Sequence, residues 1–215
     1  MREITIRGHD LTVNELDDVY DPVTGHALTG SWVWNSSLVL SEWIVNQSLV
    51  EVFDIQGKTV LELGAGMGIP GLVSARLGAG RVILTDVAPL LHGLQQNVDL
   101  NGLADRVEVR ELAWGSDESS GEFGEVDLVL MSDVFYDESE MKSLAKTLKN
   151  VCGSKTKIWA ASEIRPSTSD CLNELVVSHG FEVTELMSQL GTTATDDQSL
   201  LYVVLNLVPR WVQSM

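Results

Sequence analysis

Apolar and polar residues follow two different periods along this chain. Between residues 35 and 53 the apolar side chains recur at the spacing of an amphipathic helix. From residue 59 onward, short apolar runs of strand length alternate with longer segments of helical period. This pattern predicts strands at 59–63, 82–85, 106–112, 126–131, 157–161, 181–186 and 200–207. It predicts further helices at 70–77, 90–101, 138–151 and 168–179.

The order of these elements predicts an α/β fold. Apolar strands that alternate with helices imply a mostly parallel sheet with helices on both faces. No helical pattern separates the last two strands, so they are expected to form an antiparallel pair at one edge. The prediction is therefore a Rossmann-like sheet of seven strands, mostly parallel, with an antiparallel edge strand.

The N-terminal residues precede this alternation. Residues 3–7 alternate as a short strand does, and residues 11–20 are expected to pair with them. We predict an N-terminal strand and helix extension at 1–56 and the main α/β domain at 57–215, together forming one compact unit. Polar loops are expected at 115–125 and 191–198.

A glycine-rich segment follows the first strand of the α/β region. Gly64, Ala65 and Gly66 open it, and glycines at this place let the backbone turn tightly and approach a ligand closely. A dinucleotide-binding loop counted from Gly64 would carry Gly or Ala at its sixth position, where this chain has Ile69. A Cβ at Gly64 or Gly66 is expected to obstruct a bound cofactor more than the fold.

An acidic residue, Glu62, lies just before these glycines. A carboxylate attracts a cationic amino-acid group but not a diphosphate. S-adenosylmethionine carries an α-ammonium and a sulfonium and no phosphate, so Glu62 is predicted to bind its cationic end. The alternative is that Glu62 only accompanies a capped turn.

A second acidic residue, Asp86, ends the next strand, about 20 residues beyond the first glycine. A carboxylate at this spacing accepts hydrogen bonds from the ribose hydroxyls of a nucleoside cofactor. By itself Asp86 is also a possible helix N-cap. Together with the glycine segment it predicts a nucleoside cofactor, with S-adenosylmethionine favoured and NAD as the alternative.

Four short blocks make the chain resemble a known family. They are residues 30–35, 62–71, 112–115 and 132–136, and they span about half of the sequence. In them the chain is similar to the seven-strand, S-adenosylmethionine-dependent protein methyltransferases that methylate lysines in chaperones, elongation factors and calmodulin. The resemblance implies the seven-strand methyltransferase fold, S-adenosylmethionine as cofactor and methyl transfer to a protein lysine.

The resemblance also implies roles for individual residues in these blocks. Trp34 would cover the cofactor, Trp114 would stack on its adenine, and Ser132 would contact the adenosine. Asp133 and Tyr136 would line the mouth where the target amine meets the methyl group. The alternatives are core packing for the aromatic residues and a helix N-cap for Asp133.

Two other features bear on this resemblance: a charged segment after the fifth strand and two departures from the family pattern. Glu163 and Arg165 follow the fifth strand, where the family often carries a similar charged segment; they either hold the active-site loop, touch substrate or form a surface ion pair. The chain departs from the family pattern at Asn35, where Asp is common, and at Ser132, where Ala is common.

Charge and composition narrow the class of partner. The chain has 31 acidic and 14 basic residues and a net charge of −17, which argues against nucleic acid. This charge either attracts a protein substrate with a basic segment or only keeps the protein in solution. Its two cysteines and four histidines show no metal-ligand spacing, so no metal site is predicted. No apolar run is long enough for a membrane span. We expect a monomer in the cytoplasm, with the nucleus as a further compartment.

The sequence supports a protein-lysine N-methyltransferase as the first hypothesis. The glycine segment concerns only the cofactor and carries no information about the acceptor. A protein arginine, a protein histidine or a small amine therefore remains open as the acceptor. A methyltransferase fold without turnover that acts as a binding protein is the third hypothesis.

Overall fold

The architecture is given by a computed structural model that describes residues 1–17, 19–50, 52–116, 123–192 and 199–212. Within these residues the strands are β1 (Arg2–Ile6), β2 (His9–Val13), β3 (Thr59–Leu63), β4 (Arg81–Asp86), β5 (Val107–Glu111), β6 (Leu128–Ser132), β7 (Lys157–Glu163), β8 (Phe181–Thr192) and β9 (Ser199–Pro209). The helices are α1 (Asn35–Leu49), α2 (Ile69–Arg76), α3 (Ala88–Leu100), α4 (Met141–Val151) and α5 (Pro166–His179).

Seven of the strands form one sheet in the order β5-β4-β3-β6-β7-β9-β8. Strands β3 to β7 run parallel, and β9 runs antiparallel to both of its neighbours, β7 and β8. The predicted Rossmann-like sheet with its antiparallel pair at one edge is confirmed. The antiparallel strand is β9, which lies one position inside the edge of the sheet. The edge strand is β8, which pairs with the outer side of β9.

Helices cover both faces of the sheet, as the continuous apolar strands require. Successive residues of a strand point to opposite faces, so Val60 joins the core formed with α1, α2 and α3. Its neighbour Leu61 joins the second core, formed with α4 and α5. The sheet therefore separates two apolar layers, and its carboxyl edge is left for the loops.

The N-terminal hairpin of β1 and β2 belongs to the first of these cores. Ile4 and Leu11 are buried in the same cluster as Leu40 of α1 and Val82 of β4. Residues 1–56 therefore share one core with the sheet, and the domain boundary at residue 56 stays a prediction. Strand β2 covers only residues 9–13, so the predicted strand at 11–20 was too long.

Other predicted bounds differ by a few residues at element ends. Helix α1 ends at Leu49 instead of residue 53, and β8 extends to Thr192. Gly102, with a φ of +65°, follows the C-cap residue Asn101 of α3, a position that favours glycine. Of the two predicted polar loops, residues 117–122 and 193–198 lie outside the described part of the chain.

Two buried asparagines, Asn97 in α3 and Asn101 directly after it, attach β2 and the residue after it to the domain. The Asn97 Oδ1 atom accepts a hydrogen bond from the Asn14 amide at 2.7 Å. Asn101 Oδ1 accepts from the Thr12 amide at 3.0 Å, and its Nδ2 donates to the Thr12 carbonyl at 2.8 Å. These side chains supply the backbone partners that a further strand would otherwise provide.

We predict that Asn97→Ala lowers the free energy of unfolding by roughly 1–3 kcal/mol, because it leaves the partly buried Asn14 amide and the Met67 carbonyl without these hydrogen-bond partners. Urea denaturation measures the loss, and hydrogen exchange at Asn14 should become faster. Gln95→Ala on the same helix is the control, since its side chain donates to the exposed Asp99. Equal stability of the two variants would contradict the role of Asn97.

Candidate active site

A cavity of about 600 Å³ opens at the carboxyl edge of the sheet. The ends of β3, β4 and β6 form its floor, and the segment before α1 forms one wall. This is the edge at which open α/β sheets bind ligands. The volume lies within the roughly 300–1,000 Å³ that small-molecule sites occupy. The predicted site residues on its lining are Trp34, Gly64, Ala65, Gly66, Asp86, Trp114, Ser132, Asp133 and Tyr136.

The glycine segment forms the tight turn that its sequence predicts. Gly64, Gly66 and Gly68 have φ values of +61°, +52° and +77°, a backbone region that favours glycine. The Ala65 amide donates to the Thr85 carbonyl at 2.9 Å, which ties the loop to β4. The loop thereby presents its backbone to the cavity.

One expectation about this loop needs correction. A Cβ on Gly66 would lie 2.8 Å from the backbone oxygen of Gly30, so a side chain there would displace the N-terminal segment as well as enter the cavity. A Cβ on Gly64 would lie 3.2 Å from Cζ2 of Trp114. Glycine is therefore required by the packing of the cavity walls, and substitution would disturb the fold too.

Asp86 lies at the end of β4 and faces the cavity. Its Oδ2 accepts a hydrogen bond from the Gly66 amide at 2.8 Å, and its Oδ1 accepts from the Val87 amide at 2.8 Å. Each carboxylate oxygen keeps a lone pair for a further donor. Burial raises the pKa of Asp86, while the two amide hydrogen bonds counteract that shift. The N-cap residue of α3 is Val87, so Asp86 is not that cap.

Glu62 lies behind the loop and not on the cavity lining. Its side chain is 0% exposed, and its Oε2 accepts a hydrogen bond from the Gly71 amide at 2.8 Å. Its other oxygen has no hydrogen-bond partner among the described residues. The predicted direct contact with a cationic ligand is thus not what this geometry provides, because β3 turns the side chain toward α2. Glu62 instead braces the start of that helix.

Two tryptophans, Trp34 and Trp114, line the cavity. Trp34 is 37% exposed, and its indole Nε1 donates to the Thr29 carbonyl at 2.9 Å, which fixes the ring orientation. Trp114 packs against the Gly64 turn and lies 6.5 Å from the Tyr136 ring, centroid to centroid. Both indoles therefore offer part of a flat surface to the cavity in addition to packing.

Ser132 ends β6, and Asp133 and Tyr136 lie in the segment that follows it. The Asp133 φ is +57°, a conformation that costs a non-glycine residue roughly 1–2 kcal/mol. Its side chain is only 8% exposed, whereas Tyr136 is 56% exposed at the mouth. The capping residue of the following helical turn is Asp137, whose side chain accepts from the Ser139 amide. The N-cap alternative for Asp133 is therefore wrong.

Arg165 also lines the cavity, although it was not among the predicted catalytic or cofactor-binding residues. Its guanidinium donates from Nη1 and Nη2 to the two carboxylate oxygens of Asp133, at 3.2 and 3.1 Å. Nη2 also donates to Glu163 at 2.9 Å, and the guanidinium carbon lies 5.6 Å from the centre of the Trp34 ring. The charged residues Glu163 and Arg165 were the sequence signal for this group. The sequence alone did not distinguish a surface ion pair from this partly buried, two-pronged ion pair.

The described lining of the cavity is acidic. Asp86, Asp133 and Glu140 contribute negative charge, and Arg165 contributes the opposite sign. Desolvation and the nearby carboxylate of Glu140 raise the pKa of Tyr136, so its hydroxyl keeps its proton at neutral pH. Such a cavity favours a cationic ligand over a phosphate.

The described residues lack two further features. They contain no group of three or more His, Cys, Asp or Glu side chains arranged to hold a metal ion. They also contain no helix that is long and apolar enough to cross a membrane.

The sheet order and the site at its carboxyl edge define the class of Rossmann-like methyltransferase folds. A representative solved structure is the magnesium protoporphyrin IX methyltransferase from Synechocystis with bound S-adenosylhomocysteine. The two superpose with a TM-score of 0.57 at 12% identity, over 86% of this chain and 89% of that one. At this identity the likeness establishes the fold.

The sequence family is narrower than the fold. The family model described as lysine methyltransferase matches residues 23–176, so this chain belongs to that family, and the resemblance stated above is confirmed. Protein N-lysine methyltransferase METTL21A of Mus musculus is 36% identical over 136 residues, which are 62% of this chain and 60% of that protein. EEF1A lysine methyltransferase 3 of Mus musculus is 38% identical over 134 residues, 62% of this chain and 55% of that protein. The match thus spans between 55% and 60% of these relatives' length.

The buried carboxyl of Glu62 yields a prediction about pH. Burial raises its pKa from 4.5 to about 8, the Gly71 hydrogen bond lowers it, and the charge of Asp86 raises it further. The folded protein therefore keeps a proton that the unfolded chain releases between these two values. Stability from this group is full below about pH 4.5 and is lost as the pH rises toward 8.

We expect Glu62→Gln to flatten this dependence, because glutamine imitates the protonated carboxyl. Between pH 5 and pH 8, the wild type should lose on the order of 3 kcal/mol more unfolding free energy than the variant. Urea denaturation at several pH values measures the difference. Parallel curves for the two proteins would show that Glu62 is ionised in the folded state.

Proposed function

We propose that this protein is an S-adenosylmethionine-dependent methyltransferase that methylates the side-chain amine of a lysine in another protein. The observation that carries the proposal is one cavity with two chemically different ends. The glycine turn and Asp86 lie at the ends of β3 and β4, and we call this part the cofactor end; Asp133 and Tyr136 follow β6, and we call this part the acceptor end. Membership in the lysine methyltransferase family supports the choice of acceptor.

The residues present suit this cofactor. Gly64, Ala65 and Gly66 bring backbone to the cavity lining, and the Trp114 ring offers a flat surface for a base. Asp86 has one free lone pair on each carboxylate oxygen for the two hydroxyls of a ribose. Among the described lining residues Arg165 is the one cation, and it is already paired with carboxylates. A diphosphate would therefore find no free positive partner there.

The bound cofactor supplies a methyl group already activated by a positively charged sulfur. The protein's task is then to hold the acceptor amine in line with that methyl group and to keep water away. A lysine with its ordinary pKa near 10.4 is neutral in only about one molecule in a thousand at pH 7.4. The partly closed cavity favours the neutral form, because desolvation disfavours an ammonium ion.

Asp133 and Tyr136 are the groups that would orient the amine. The Asp133 carboxylate accepts hydrogen bonds from the amine N–H groups, and the Tyr136 oxygen offers a second acceptor nearby. Both leave the nitrogen lone pair free to point at the methyl group. The described lining contains no His or Cys, so the amine would give its proton to water or to a carboxylate before attack.

The acidic surface supports a protein with a basic segment as the substrate. A net charge of −17 attracts such a segment over long distances and repels nucleic acid. We also propose that the protein acts as a monomer in the cytoplasm. Gel filtration at two concentrations and cell fractionation would test these two points.

The direct test is transfer of a labelled methyl group from S-adenosylmethionine to the proteins of a cell extract. We expect label on lysine, identified by mass spectrometry of the labelled protein. Label on arginine, histidine or a small amine would establish another acceptor. Absence of transfer, together with measurable cofactor binding, would support a binding protein without turnover.

The cofactor end of the cavity has its own prediction. Asp86→Asn should weaken S-adenosylmethionine binding by about ten- to a hundredfold, since a charge-assisted hydrogen bond contributes roughly 1.5–3 kcal/mol. Isothermal titration calorimetry measures the affinity. Asp99→Asn, at an exposed site on α3, is the matched control and should bind normally. Unchanged affinity in a folded Asp86→Asn protein would remove Asp86 from the site.

Substitutions at the acceptor end are expected to change the rate of methyl transfer and not the affinity for the cofactor. Asp133→Asn and Tyr136→Phe should slow single-turnover methyl transfer by about ten- to a thousandfold, because they disturb the alignment of the amine. Cofactor affinity should stay close to that of the wild type. Asp54→Asn, in the loop between α1 and β3, controls for loss of one surface charge. Normal rates in both site variants would exclude this pair from the reaction.

A further inference from the structure

The ion pair between Arg165 and Asp133 is more buried than the Arg81–Glu108 ion pair of the same sheet. Two guanidinium nitrogens meet the two oxygens of one carboxylate, at 3.2 and 3.1 Å. The Asp133 and Arg165 side chains are 8% and 29% exposed, so solvent screens the pair only weakly. Such a fork fixes the plane of a carboxylate as well as its position.

The backbone of Arg165 is itself held in place. Pro166 follows it and restricts it to an extended conformation, observed as φ −119° and ψ 164°. Its amide donates to Thr168 Oγ1 at 3.3 Å, and the Thr168 hydroxyl donates to the Glu163 carbonyl at 2.8 Å. The start of α5 thus aims the guanidinium back across the sheet toward the end of β6.

Asp133 occupies a backbone conformation that needs support. Its φ of +57° is uncommon for a residue with a side chain, and its amide donates to the Ala161 carbonyl at 2.8 Å. The side chain then extends toward Arg165, with Ser162 Oγ at 3.4 Å from Oδ1. A strained residue whose surroundings hold it in one orientation is typical of a functional site.

We propose that Arg165 is a positioning residue, which holds the Asp133 carboxylate in the orientation that receives the acceptor amine. The inference rests on the proposed function, since it assigns the amine to Asp133. Glu163 shares the same guanidinium at 2.9 Å, so the group contains two carboxylates and one cation. The remaining negative charge is available for one further cation, which matches an incoming lysine.

Trp34 extends this arrangement to the cofactor end of the cavity. The Arg165 guanidinium lies over its ring at 5.6 Å, and Trp34 is held by the Thr29 carbonyl in the wall-forming segment. Arg165 therefore contacts both the cavity wall before α1 and the carboxylate at the mouth. Its loss should disturb Asp133 more than the cofactor, because Asp86 and the glycine turn lie on other elements.

A double-mutant cycle tests whether Arg165 acts through Asp133. In the otherwise wild-type protein, Arg165→Gln should slow single-turnover transfer to the labelled acceptor by about 10- to 100-fold. In the Asp133→Asn background the same change should alter the rate by less than about twofold. Cofactor affinity should change by less than about threefold, so that kcat falls while cofactor binding persists.

Two further variants sharpen the cycle. Arg165→Lys keeps the charge but not the fork, so it should remain slow. It also decides the matter if Arg165→Gln fails to fold. Arg81→Gln is the matched control, because Arg81 forms a comparable fork with Glu108, at 2.7 and 3.2 Å, at the opposite end of the sheet. That control should lower stability and leave the rate unchanged.

Several outcomes would overturn the inference. A wild-type rate in Arg165→Gln or Arg165→Lys would show that the fork is not needed. An equal loss with and without the Asp133 carboxylate would show that Arg165 does not act through it. Failure of the wild-type protein to label lysine would instead defeat the proposed function, and the inference with it.

Discussion

The hydrogen bond from the Gly66 amide to the Asp86 carboxylate is the constraint on which the site depends. At 2.8 Å it joins the turn after β3 to the end of β4. The turn can form only because Gly64 and Gly66 accept positive φ values. It also lets Gly30 approach so closely that no side chain fits between the two backbones. One contact thus sets the floor of the cavity, one of its walls and the place of its carboxylate.

Much of the fold was predictable because burial on both faces leaves a simple pattern in the sequence. Continuous apolar strands separated by helical segments indicate a covered parallel sheet without any knowledge of pairing. Pairing itself depends on contacts between distant residues, and the sequence indicated it only for the last two strands and for the N-terminal hairpin. It did not reveal that β9 enters between β7 and β8, or that Asn97 of α3 and the following Asn101 hold the N-terminal hairpin.

The site was predictable where a residue type has one strong reason to be present, as for the glycines and Asp86. The site was not predictable where the direction of a side chain decides whether that residue reaches the cavity. Glu62 shares the face of β3 with Val60, so the pleat turns it toward α2 and away from the cavity. Arg165 reaches Asp133 because β6 and β7 pair Ser132 with Ala161, a register that no local pattern contains.

The acidic character of the cavity presents a conflict that the Arg165 fork resolves. Carboxylates draw a lysine toward the site, yet they also stabilise its ammonium form, whereas methyl transfer needs the neutral amine. A guanidinium bound to both Asp133 and Glu163 cancels part of their charge at the point where the amine would arrive. The same fork still leaves hydrogen-bond acceptors on Asp133, since each carboxylate oxygen has two lone pairs. Attraction at long range and a weaker local field can therefore coexist, which a single unpaired aspartate in this position would not allow.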